Sequence, residues 1–156
     1  MDKISTWLWC DGTAEEQAAF YTGLFADSAI VAVVRSPADN PGTAAGAVLT
    51  VEFTLAGRSF VGLNGGPGNP YTDAISLQVQ CDDQAEVDLY WNAILAAGGS
   101  EVACGWITDR WGLRWQIVPR RMMQLLSDPV HGRRAMEAMM TMRKIDIAAI
   151  EAARRA

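Results

Sequence analysis

The feature that most constrains the fold is a repeat within the chain. "DGTAEEQAAFYTGLF" (11–25) and "DDQAEVDLYWNAIL" (82–95) follow one plan. Each opens at an Asp-rich polar turn able to cap a helix, then runs through an amphipathic stretch carrying two adjacent aromatics. Phe20–Tyr21 answers Tyr90–Trp91 at an offset of 70 (90 − 20). The same offset sets Thr6, in "ISTWLWC", against Ser76, in "AISLQVQC", so a strand of alternating character precedes each helix. Further strands follow each helix after a glycine-containing break. They are "IVAVVRS", "AVLTVEFTLAG" and "RSFVGLN" in the first half, then a short one in "SEVACGWITD" and "GLRWQIVP" in the second. The pattern predicts an α+β chain that runs β-α-β-β-β twice.

The last segment differs in character. "SDP" breaks the chain at 127–129, and "RRAMEAMMTM" then sets Met136, Met139 and Met140 on one helical stripe. Asp146 can cap a final helix, "IAAIEAARR", whose terminal arginines suit its dipole. A methionine stripe of this kind suits docking against the sheet module or a partner subunit. The expected organisation is one domain over 1–156. It comprises module 1 (about 3–66), module 2 (about 72–120) and a helical tail (about 121–156).

Composition removes several classes of function. A formal net charge of −5 over 156 residues, with basic residues clustered only near the end, argues against a nucleic-acid partner. No run of 18 apolar residues is present and "MDKISTW" lacks a signal-peptide core, so the expectation is a cytoplasmic protein with no membrane segment. Three cysteines (Cys10, Cys81, Cys104) without CxxC spacing read as free thiols. The single histidine, His131, lies in the turn-like "SDPVHGRR" and is expected at the surface. One histidine excludes an HExxH zinc site, no GxSxG elbow supports a serine triad, and no cofactor is expected.

"GLNGGPGNP" (62–70) has the glycine content of a phosphate loop. Such a loop needs a helix N-terminus behind it, and "YTDAISLQVQ" reads as turn and strand. The stretch is instead expected to cross from one half to the other.

The paired β-α-β-β-β units resemble the vicinal-oxygen-chelate (glyoxalase/bleomycin-resistance) superfamily, and within it the PhnB-like, demethylubiquinone methyltransferase-like branch. The resemblance is carried by "WLWCDGTAEEQAAFY", "VLTVEFTLAGRSFVGLNGGP", "AISLQVQCDDQAEVDLYW", "CGWITDRWGLRWQIVP" and "KIDIAAIEAA", in order along nearly the whole chain. It implies two modules whose mixed sheet curls around a shared cavity, in a homodimer. No S-adenosylmethionine fingerprint accompanies it, so the methyltransferase label draws little support. Metal-dependent members hold their ion with His and Glu at four strand positions, which the resemblance puts here at Thr6, Gly62, Ser76 and Gln116. The register near Gly62 also admits Val61 or Asn64. None of these is a good divalent-metal ligand, so no metal is expected.

Strand parity then nominates what faces the cavity. With Ser76 inward, Gln78 and Gln80 follow, while Leu77, Val79 and Cys81 back onto the helix. With Gln116 inward, Arg114 follows. On the first strand Thr6, Leu8 and Cys10 are expected inward and Trp7 and Trp9 outward, and Glu52 shares a face with Thr50 and Thr54. Trp106 and Trp111 flank the "ITDR" turn, where they could rim a pocket for a flat ligand. The candidate ligand-binding residues are therefore Thr6, Asn64, Ser76, Gln78, Arg114, Gln116, Trp106 and Trp111, with Glu52 as a candidate catalytic base. One polar face per strand is also what a half-solvated sheet shows, and Glu52 with Arg114 could be a structural ion pair. The leading expectation is a metal-free small-molecule-binding protein, its ligand in the inter-module cavity. The alternative is an enzyme on a small organic substrate with Glu52 as general base. A metal-dependent lyase, isomerase or dioxygenase with an atypical site ranks third.

Overall fold

The computed structural model describes residues 3–155, so the outermost ends of the expected domain and tail, Met1, Asp2 and Ala156, lie outside the described residues. The chain divides into two compact units, residues 1–70 and 71–156. The first runs β1 (Thr6–Cys10), α1 (Ala14–Leu24), β2 (Ala29–Arg35), β3 (Val48–Leu55) and β4 (Arg58–Asn64). Its sheet has the order β1-β4-β3-β2, with β1 parallel to β4 and the other pairs antiparallel. The second runs β5 (Leu77–Cys81), α2 (Gln84–Ala96), β6 (Ser100–Glu101), β7 (Trp106–Thr108) and β8 (Arg114–Pro119), with sheet order β5-β8-β7-β6. Two β-α-β-β-β modules in an α+β fold are thus present, as the repeat predicts.

Each helix covers one face of its own sheet. In the first unit Ala14, Ala18 and Tyr21 of α1 are buried, as are Leu8, Cys10, Val51, Phe53 and Phe60 of the sheet. The Tyr21 and Phe53 rings lie 6.3 Å apart, and Phe53 stacks on Phe60 at 5.6 Å. The larger of these, Leu8, Val51, Phe53 and Phe60, each contribute about 1.5–3 kcal/mol by leaving water. The helix sits close enough that a Cβ at Gly62 would meet the Ala14 methyl at 3.1 Å. In the second unit Val87, Trp91 and Ile94 are buried on α2, with Cys81, Ile107, Trp115 and Ile117 buried on the sheet. The Trp91 indole donates to Glu101 at 3.2 Å. Asp109, in the β7–β8 turn, is buried but satisfied. It accepts from the backbone N–H of Trp111 and Leu113 and from the Trp115 indole.

The repeat is out of phase by one residue between its strands and its helices. From Ala14 to Gln84 the helices are 70 apart (84 − 14), whereas from Cys10 to Cys81 the strands are 71 apart (81 − 10). The difference is one extra residue between β1 and α1, where Asp11, Gly12 and Thr13 stand against Asp82 and Asp83; Gly12 takes a φ of +72°. Parity carried across at 70 therefore turns β1 over. Thr6, Leu8 and Cys10 pair with Phe60, Gly62 and Asn64 on the α1 side, while Trp7 and Trp9 pair with Val61 and Leu63 on the opposite face. Cys10 and Cys81 are equivalent and both buried, not on opposite faces as parity suggested.

The glycines of "GLNGGPGNP" serve close packing. Residues 65–76 have no regular structure. The Trp9 indole lies against Gly65, where a Cβ would fall inside the ring, and its Nε1 donates to the Gly66 carbonyl at 2.7 Å. Gly42 presses on the same backbone, and the Thr43 hydroxyl donates to the Asn64 carbonyl.

The tail forms α3 (Met122–Leu126), α4 (Gly132–Met140) and α5 (Ile147–Arg155) around its own small core of Met122, Leu125, Ala135, Ile145, Ile147 and Ile150. The segment before α5 is tied to the module. Cys104 N–H donates to Met142 O, Gly105 N–H to Arg143 O, and the Gln84 amide bonds both Ile145 O and Ile147 N–H. Lys144–Asp88 and Arg143–Glu101 ion pairs flank it. Asp146 caps α5 by accepting from Ala149 N–H. The methionine stripe splits: Met139 packs on the tail core, whereas Met136 and Met140 are exposed. His131, expected at the surface, is half-buried, and its Nδ1 is enclosed without a hydrogen-bond partner among the described residues. No helix among the described residues is long and apolar enough to cross a membrane.

Candidate functional site

The sheet face opposite α2 carries most of the nominated residues. Pairing of β5 with β8 sets Gln78 beside Gln116, and pairing of β7 with β8 sets Trp106 beside Gln116 and Thr108 beside Arg114. Paired residues share a face, so these side chains project together. They are also bonded. Gln116 Nε2 donates to Ser76 Oγ at 2.8 Å, and Gln78 Nε2 donates to Gln116 Oε1 at 3.4 Å. The Arg114 guanidinium donates through Nε to Asp73 and through Nη1 to the Gly112 carbonyl at 2.8 Å. At the far end Arg120 holds Asp82 at 2.7 Å and reaches Gln80. The structure thus brings Ser76, Gln78, Gln116, Trp106 and Arg114 onto one polar surface within one unit.

Other nominated residues lie elsewhere. Thr6 and Asn64 are on the α1 side of the first sheet. Asn64 is buried, accepting from Ala14 N–H at 3.0 Å and donating to Val48 O at 2.9 Å. It caps a helix rather than lining an open face. Glu52 stands on the face opposite α1, between Ala32 and Val61, and its carboxylate has no partner among the described residues. Within the second unit the Arg114 guanidinium is paired with Asp73. Trp111 sits in the β7–β8 turn with the Arg110 guanidinium 4.3 Å over its ring, which occupies that stacking face.

The faces of β1 are the reverse of those the sequence parity gives. Trp7 and Trp9, expected to face away from the cavity, belong to the surface opposite α1, where they are 54% and 39% exposed. The extra Gly12 between strand and helix was the available signal. Asp73 had none, since it lies in irregular chain.

Two of the three thiols, Cys10 and Cys81, are shielded by burial. Burial, reinforced by the carboxylates of Glu86, Asp82 and Asp83, pushes the Cys81 thiol up to about 12. Cys10 is buried against α1. In the tail Asp128, accepting from His131 and Val130 N–H and from Arg154, is held at about 2.

On the faces opposite the helices, the position of Gln78 in the second unit corresponds to Trp7 in the first, and that of Gln116 to Val61. Neither indole nor isopropyl side chains bind divalent ions, and amides bind them weakly. Among the described residues no group of three or more His, Cys, Asp or Glu could hold a metal ion. The residues present do not fit the superfamily's metal.

Comparison with known proteins agrees with this architecture. The family model "3-demethylubiquinone-9 3-methyltransferase" matches residues 2–118. The chain belongs to this family. It is the PhnB-like branch of the vicinal-oxygen-chelate superfamily, as the repeat and its motifs implied. The solved PhnB protein of Bacillus cereus, described under the same methyltransferase name, is 32% identical, with a TM-score of 0.66 over 76% of this chain and 98% of that one. A Pseudomonas aeruginosa protein, at 21% identity and TM-score 0.55, covers 76% of this chain and 97% of its own, and shows the fold alone. No curated protein matches the chain. The family match stops before α3, so the helical tail lies outside it.

Proposed function

We propose that this PhnB-like protein is a metal-free binder of a small organic molecule, held against the polar sheet face of the second unit. The observation that carries the reading is the bonded row Ser76–Gln116–Gln78 beside Trp106. Amides offer both donors and acceptors, and an indole offers a flat apolar wall, a combination suited to orienting an organic ligand. A methyltransferase would require a cofactor-binding strand-loop-helix that the sequence does not contain, so the family's printed name is not carried to this chain. The reading takes the protein as cytoplasmic and as a homodimer, the latter on the superfamily resemblance.

The test is a ligand panel of neutral and charged aromatic compounds, followed by 1H–15N spectra. Ligands should move the Gln78, Gln116 and Trp106 side-chain resonances, and Gln116→Ala should weaken binding about tenfold, the loss of a charge-free hydrogen-bond pair. A panel that moves none of these resonances would defeat the reading.

The second reading is an enzyme with Glu52 as general base, favoured by the unpartnered carboxylate among the described residues. Glu52→Gln keeps the shape and removes the base. Turnover of a bound ligand by the parent chain and its loss in the variant would support catalysis.

A further inference from the structure

Resting on the binding reading above, we propose that the ligand of the second unit is a flat organic monocarboxylate, its carboxylate on the outer fork of Arg114 and its body against Trp106. A guanidinium carries five N–H donors in a fixed plane. At Arg114 two are used internally, Nε–H by Asp73 and one Nη1–H by the Gly112 carbonyl. These two bonds fix the plane of the group. The remaining Nη1–H and both Nη2–H have no acceptor among the described residues, so each terminal nitrogen keeps at least one N–H for a carboxylate oxygen. The side chain is 23% exposed, so the group is partly desolvated yet accessible.

The surroundings select among anions. Trp106 and Arg114 lie on neighbouring strands, two residues out of register on the same face, so they are diagonal neighbours about 7–8 Å apart. That spacing is within reach of long and aromatic side chains, so one ligand of single-ring size can touch both. Gln78 keeps a carbonyl oxygen and one N–H unused by its bond to Gln116, available to a second polar group of the ligand. Asp73, on the far side of the guanidinium, is 80% exposed and supplies a negative charge beside the site. It disfavours a dianion such as a phosphomonoester more than a monoanion. Asp73 is a positioning residue, while Arg114 and Trp106 touch the ligand.

Benzoate, its neutral isostere benzamide and phenylphosphonate are the probes, titrated into the full chain while the Arg Nε–H and Trp indole N–H resonances are followed. Arg114→Gln and Trp106→Ala assign the two signals. Benzoate is expected to bind at least tenfold tighter than benzamide and tighter than phenylphosphonate. Arg114→Gln should erase the benzoate preference while leaving benzamide binding unchanged, and Trp106→Ala should weaken both. Arg114→Lys keeps the charge without the fork and should also lose most of the preference. Equal binding of benzoate and benzamide, a preference that survives Arg114→Gln, or tighter binding of phenylphosphonate overturns the proposal. If panel compounds move Gln78 and Gln116 while benzoate does not bind, the carboxylate assignment fails alone. If nothing moves them, the binding reading fails with it.

Discussion

The side chain of Asn64, at the end of β4, accepts the first backbone N–H of α1, from Ala14, at 3.0 Å, while its amide donates to Val48 O at 2.9 Å. Thr13, in the N-cap position, makes no side-chain cap bond, so the helix start depends on a residue fifty positions away (64 − 14). In the second unit Asp83 performs the task locally by accepting from Glu86 N–H. Asn64→Ala strands a buried N–H and a buried carbonyl. It should cost about 1–3 kcal/mol, read as a lowered urea midpoint with unchanged slope. Asp83→Ala should cost about 1 kcal/mol, the loss of one local cap bond.

The contact of Trp9 with Gly65 gives a second expectation. Gly65→Ala puts a methyl group where the indole lies and breaks the geometry of its bond to Gly66 O. The substitution should destabilise by about 1–3 kcal/mol and red-shift the tryptophan emission. A control, Gly68→Ala, meets no neighbouring atom, although its φ of +97° adds backbone strain. It should leave the emission where it is.

Cysteine reactivity should follow burial. Cys10 and Cys81 are buried and Cys104 is partly exposed. Native protein treated briefly with a maleimide should gain one adduct, on Cys104, and denatured protein three, as counted by intact mass. Because the Cys81 thiol is raised from 9.0 to about 12, the unfolded state loses its proton first as pH rises. Stability should therefore fall between about pH 9 and 12, and Cys81→Ala should lessen that slope.

Acid should act first on the tail. Asp128 is held at about 2 against an ordinary 3.8, by backbone N–H bonds from His131 and Val130 and by Arg154. Its stabilising effect is complete above about pH 3.8 and is lost as pH falls through about 2. Hydrogen exchange should show α4 and α5 losing protection across that window ahead of α1 and α2. Asp128→Asn should remove the pH dependence.

Most of the fold was legible because burial repeats. Tyr21 and Trp91, the inner members of the two aromatic pairs, are both almost fully buried, and the helices that carry them begin 70 residues apart. The open face of the second unit was legible too, since parity needs no long-range information once one inward residue is placed. Thr6 was misplaced because a single inserted residue inverts every side chain of a strand while leaving its pattern intact. On β1 that pattern is apolar on both faces, so hydrophobicity alone does not reveal the inversion. Asp73 and the enclosed ring nitrogen of His131 depend on tertiary approach, which no local spacing encodes.

Gly12 therefore has a reach beyond its turn. Because it absorbs the phase difference between β1 and α1, the buried sides of the two units keep the same plan while their outer sides diverge. One presents indoles where the other presents amides. A duplicated architecture can in this way hold two chemically unlike surfaces without disturbing either interior.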